Sequence, residues 1–109
     1  MKEEKKIKLV SIETIPGQAF EALDVVKGTV VYSKNFGRDF MAGMKTLVGG
    51  EITGYTEMLN EARQIATKRM VDAAEALGAD AIVGARYASS SVMQGAAEVV
   101  AYGTAVKFL

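Results

Sequence analysis

The chain contains neither cysteine nor histidine, and both absences exclude chemistry before any motif is considered. Without thiols there are no disulfides, no thiolate nucleophile and no thiolate metal site. Without imidazole it lacks both the commonest metal ligand and the usual base near neutral pH. Tryptophan is also missing, and only four Phe and four Tyr accompany an apolar half rich in alanine and glycine, so the core is expected to be thin and closely packed. Net charge is absent as well: thirteen basic residues balance thirteen acidic ones, which removes the long-range field of a nucleic-acid or anionic-membrane binder. No stretch approaches the ~20 apolar residues of a membrane helix, and no lipidation motif occurs. Met1 to Lys6 carries mixed charges and reads as a solvated tail rather than a secretion signal, which makes the cytoplasm the expected compartment.

What is present fits a single α+β domain over residues 1–109. A chain of this size buries about two-thirds of the surface its unfolded form exposes, so contacts between copies would add to its stability. Ile7 to Glu13 alternates loosely around Leu9, Val10 and Ile12 and predicts a first strand ending at Pro16-Gly17. Ala22 to Ser33, rich in β-branched residues, predicts a second strand in which Gly28 marks either a bulge or the close approach of another backbone. Arg38 to Val48 places Phe40, Met44 and Leu47 at helical spacing before Gly49-Gly50 and predicts a short helix.

The strongest periodic signal follows. Tyr55, Met58, Leu59, Ala62, Ile65, Ala66, Met70, Ala73, Ala74 and Leu77 form one apolar stripe, predicting a long amphipathic helix capped by Thr53, with Glu51 beside its positive end and Gly78 as its stop. Ala81 to Tyr87 predicts a third strand running back along that helix, Ser89 to Gly95 a loop or hairpin end, and Glu98 to Phe108 a last strand. The expected architecture is therefore about four strands packed on one long and one short helix. Gly28-Thr29-Val30-Val31 and Gly103-Thr104-Ala105-Val106 echo one another, but such residues recur easily in strands and show no repeat period.

Strand alternation sharpens the expectation. The last strand carries Val99, Ala101, Gly103 and Ala105 on one face and Val100, Tyr102, Thr104, Val106 and Phe108 on the other. The second strand repeats the pattern, with Leu23, Val25 and Val31 opposite Val26, Val30 and Tyr32. The small face suits the alanine-rich helix, and the bulkier one has no helix left to cover it. An uncovered apolar face marks an interaction surface, and symmetric self-association is the expected result, the alternative being that the first strand or loops fold over that face.

Gly49-Gly50-Glu51, Tyr55, Ala62-Arg63, Ala66, Gly78-Ala79, Ala81-Ile82-Val83, Arg86 and Tyr102-Gly103-Thr104-Ala105-Val106, with Gly28, Ser33 and Asn35 upstream, resemble the YbjQ-like family, labelled as heavy-metal-binding, over most of the chain. The resemblance implies a compact α+β subunit assembling into a ring-like homo-oligomer, a pentamer, with no established activity. The metal label conflicts with the composition, because heavy metals prefer thiolate and imidazole ligands and this chain has neither.

The polar residues that carry the resemblance, Glu51, Tyr55, Arg63 and Arg86, are the candidate ligand-binding set: a carboxylate, a phenol and two guanidinium groups suited to a small anion or polar ligand between subunits, or to a structural ion-pair network there. Glu51 and Arg63 are too far apart to pair within one helix, at about 18 Å along its axis. Glu57 and Glu61, four apart, offer oxygen ligands to a hard cation, but such pairs commonly form a solvated face, and no metal site or cofactor is expected. The polar run Ser33 to Asp39 reads as helix capping. No G-x-S-x-G elbow, phosphate loop or dinucleotide glycine pattern occurs, and no catalytic residue is assigned. The leading expectation is a non-catalytic homo-oligomer that is structural or binds a small ligand or ion. Its alternatives are an enzyme with an intersubunit Glu51–Tyr55–Arg63 site and a divalent-cation binder.

Overall fold

The computed structural model describes the backbone of residues 6–33, 47–48, 51–93 and 96–109, and their side chains apart from those of 33, 47–48, 51–56 and 92–93. The elements run β1 (Lys8–Leu9), β2 (Phe20–Ser33), β3 (Leu47–Val48), β4 (Glu51–Ile52), α1 (Thr53–Ala76), β5 (Ala81–Met93) and β6 (Ala96–Phe108). The main sheet has the order β1-β5-β6-β2, with β1 parallel to β5 and the other pairs antiparallel. β3 and β4 pair separately, Leu47 with Ile52 and Val48 with Glu51.

The long helix forms where the apolar stripe placed it, and a narrower row meets the sheet. Met58, Ala62, Ala66, Met70 and Ala74, each four residues from the next, are buried, whereas Ile65 and Leu77 are exposed. The alanines let the helix sit very close to the strands, packing on Val26, Val99, Ala101 and Ala105. Gly28 permits this approach. A Cβ built there would lie 2.5 Å from the Met70 backbone nitrogen and 2.8 Å from Arg69 Cβ, and nearer still to the Ala66 carbonyl. Helix termination is also as the sequence specifies. Gly78 adopts φ 75°, and the Gly78 N–H to Glu75 and Ala79 N–H to Ala74 bonds close a left-handed cap.

Several boundaries differ from the sequence expectation. The first strand shrinks to Lys8–Leu9 because Gly84, at φ 63°, puts a bulge into β5 between Val83 and Arg86. Beyond it the chain follows β5 only loosely, through Gly84 N–H to Ile12 and Ala85 N–H to Val10, before the Pro16-Gly17 turn. Ser89 to Ser91, expected as loop, are strand, since they pair with Val99, Glu98 and Ala97. Of the expected short helix, 38–46 lies outside the described residues, and Leu47 and Val48 are strand. The bulge in β2 falls between Ala22 and Asp24 rather than at Gly28, which turns Leu23 toward the helix while Val25 stays on the far face.

That far face is covered in part by the chain itself. Ile15 joins Ala81, Val83 and Val106 in a second small core, flanked by Val10, Phe20 and Phe108. The expectation that the whole bulky face lacks cover is thereby corrected, because the turn at Pro16-Gly17 folds the 10–20 segment over its lower end. Asp80 ties this end together: its Oδ2 accepts the Phe108 N–H at 2.8 Å and lies 3.8 Å from Lys107 Nζ. Asp80→Ala leaves a partly buried N–H without that acceptor and is expected to cost about 1–2 kcal/mol in urea unfolding. An unchanged midpoint would show that the bond contributes nothing.

Candidate functional site

Of the four residues singled out in the sequence, Arg63 and Arg86 are not brought together within one chain. Arg63, on an exposed face of α1, donates from Nη1 to Asn60 Oδ1 at 3.0 Å. It borders an open groove of about 540 Å³ between α1 and β5, together with Gln64, Thr67, Lys68, Asp72 and Tyr87. The Tyr87 and Thr67 hydroxyls are 2.7 Å apart across this groove, which fixes Tyr87 on the helix side of β5. Its neighbour Arg86 therefore leaves the opposite face, where Nη1 donates to the Ser11 carbonyl at 2.6 Å and Nη2 reaches Glu13 Oε1 at 3.5 Å. Within one chain Arg63 and Arg86 are thus on opposite sides of the sheet. Arg86 acts as a clasp on the amino-terminal segment, a role its sequence position gave no means to read. Glu51 lies in β4 and Tyr55 in the first turn of α1, with side chains outside the described residues.

Glu57 and Glu61 are both exposed, and among the described residues no three acidic, histidine or cysteine side chains come together as a metal site would require. The groove beside Tyr87 mixes Arg63 and Lys68 with Asp72 and Glu75, and Lys68 is already drawn to Asp72 at 3.2 Å, so no single charge dominates it.

A second concavity is different in character. Val30, Val31 and Tyr32 of β2 and Met58, Glu61, Ala62 and Ile65 of α1 enclose a cavity of about 290 Å³ whose walls are mainly apolar. Met58 and Ala62 are buried, and Glu61 is exposed at its rim. The sequence hinted at it only through spacing: Met58, Glu61, Ala62 and Ile65 recur at steps that share one helical face. Nothing in β2 announced which strand would stand opposite.

A long helix on a mixed four-stranded sheet, with one sheet face partly open, defines a small α+β domain. The family model described as "Putative heavy-metal-binding" in the YbjQ group matches residues 7–109. A UPF0145 protein of Clostridium novyi is 58% identical over 101 residues, which cover 93% of this chain and 98% of that relative. A UPF0145 protein of Thermotoga maritima is 60% identical over 100 residues, covering 91% and 94% of the two chains. In fold, the chain is similar to a crystal structure of a protein of unknown function from Pediococcus pentosaceus, with TM-score 0.67, 20% identity, and coverage of 94% of this chain and 98% of that one. The chain belongs to the YbjQ family. Among the described residues no helix is long and apolar enough to cross a membrane.

Proposed function

We propose that this chain is a non-catalytic subunit whose working form is a homo-oligomer, joined through the open part of its sheet and serving as a scaffold or small-ligand binder. The family resemblance implies a ring of five. One observation carries the reading: beyond the segment 10–20, the face opposite α1 leaves Val25 68%, Val31 59% and Tyr102 41% exposed. Burying such side chains is worth roughly 1.5–3 kcal/mol each, a gain that a solitary subunit forgoes. The patch also carries charge, since Lys27 and Arg86 flank Tyr102 and Glu98 pairs with Val31 in the sheet register, so contact between copies must pair these groups as well as bury the apolar ones.

Light scattering on the eluting protein at micromolar concentration is expected to give a mass several times that of one chain. The double variant Val25→Lys/Tyr102→Lys is expected to elute as a folded monomer, because two desolvated charges on each copy oppose contact. A monodisperse monomer in the parent protein removes the reading, and an oligomer unaffected by both lysines moves the interface elsewhere.

A further inference from the structure

We infer that the cavity between β2 and α1 is a binding site for a small primary ammonium compound with an apolar body. The inference stands on the cavity alone and does not require self-association. It rests on which polar groups reach the cavity and which do not.

Among the described strands β2 is an outer one, with β6 on one side. Along an antiparallel strand the N–H and C=O of one residue point to the same side, and the side alternates from residue to residue. The outward set is identified at two places: Arg69 Nη1 donates to the Thr29 carbonyl, and the Val25 N–H donates to Asp24 Oδ1, the neighbouring side chain. Val31 belongs to the same alternate set, so its carbonyl and N–H point away from β6, at the strand edge that borders the cavity. Glu61 lines the cavity from the helix side, at an exposed position on the helical face shared by Met58, Ala62 and Ile65.

Among the described residues the lining includes Glu61, the outward Val31 carbonyl and N–H and the Tyr32 phenol, and contains no Lys or Arg. An ammonium group has three donors and a charge opposite to Glu61, the one charged side chain among the described lining residues. Val30, Met58 and Ile65 suit an aromatic or branched aliphatic body, and about 290 Å³ restricts the ligand to a small one.

Titration calorimetry on the full chain tests this with three probes of matched shape: phenethylamine, neutral 2-phenylethanol and anionic 3-phenylpropanoate. Saturable binding of phenethylamine is expected at one site per chain, about tenfold or more tighter than 2-phenylethanol, with 3-phenylpropanoate weaker still. Glu61→Gln is expected to reduce the affinity for phenethylamine about tenfold while leaving 2-phenylethanol unchanged. Ile65→Trp, which fills the cavity from its rim, is expected to abolish binding of both, with circular dichroism reporting an intact fold. Failure of phenethylamine to bind saturably, equal affinity for the amine and the alcohol, or indifference to Glu61→Gln would each overturn the site. Repeating the titration on Val25→Lys/Tyr102→Lys keeps the test separate from assembly, since the cavity lies within one subunit.

Discussion

Gly28→Ala is expected to destabilise the domain by about 3 kcal/mol or more, at the upper end of what overpacking costs. The reason is the identity of the atoms an added methyl would meet. The Ala66 carbonyl and the Met70 nitrogen are helix backbone, so no rotamer change relieves the contact and α1 must lift as a body from the sheet. Lifting it also loosens the contacts of Ala62, Ala66, Met70 and Ala74 with Val26, Val99, Ala101 and Ala105. Thermal unfolding should show a fall of roughly 15 °C, given about 4–8 °C per kcal/mol for domains near this size. Trimming a neighbouring side chain should not rescue the variant, because the obstruction is main chain. Gly78→Ala provides the contrast. Nothing lies within 4 Å of its would-be Cβ, so only the strain of φ 75° remains, about 1 kcal/mol. If both alanine variants cost the same, the close approach is not what Gly28 provides.

Met70→Ala should remove about 2–5 kcal/mol. Met70 is completely buried at the centre of the helix–sheet contact, and its neighbours on the same row, Ala66 and Ala74, are too small to reach into the space it would leave. A core this dependent on alanine has few side chains able to repack, which places the expected loss toward the upper part of that range. Leu77→Ala, at an exposed position just past the helix, should change stability by less than about 0.5 kcal/mol. Urea unfolding of the two variants measures the difference, and similar losses would mean that the row from Met58 to Ala74 is not the core of this fold.

The helix was legible in the sequence because its signals are local. Stripe, first residue and glycine stop all lie within one continuous segment, and the Gly78 cap has the geometry its residue type suggests. The small face of β6 was legible for a related reason, since alternation fixes which side chains share a side once a strand exists. Strand limits were not legible. Ser89 to Ser91 have no local reason to extend, and only the presence of β6 alongside makes them strand. Likewise Gly84 in the third strand gave no warning that its bulge would cut the first strand short.

The candidate site divides in the same way. Sequence picked Arg63 and Arg86 by residue type and resemblance, but the spacing between an exposed helix residue and a strand residue says nothing about which side of the sheet each will occupy. Tyr87 reaching Thr67 settles that Arg86 faces away. Glu61 was read as half of an exposed carboxylate pair, and the apolar wall beside it exists only because β2 crosses that face of α1.

By itself, then, the sequence determined the long helix and its ends, the side of the last strand that receives it, and the exclusion of thiolate and imidazole chemistry. Each of these is set within a few residues or by composition alone. Tertiary structure decided how far the strands run, that residues 10–20 cover part of the bulky face, and that Arg63 and Arg86 lie on opposite sides of the sheet within one chain. Those outcomes depend on which distant backbone lies within hydrogen-bonding or van der Waals reach, and proximity of that kind is created only when the chain folds.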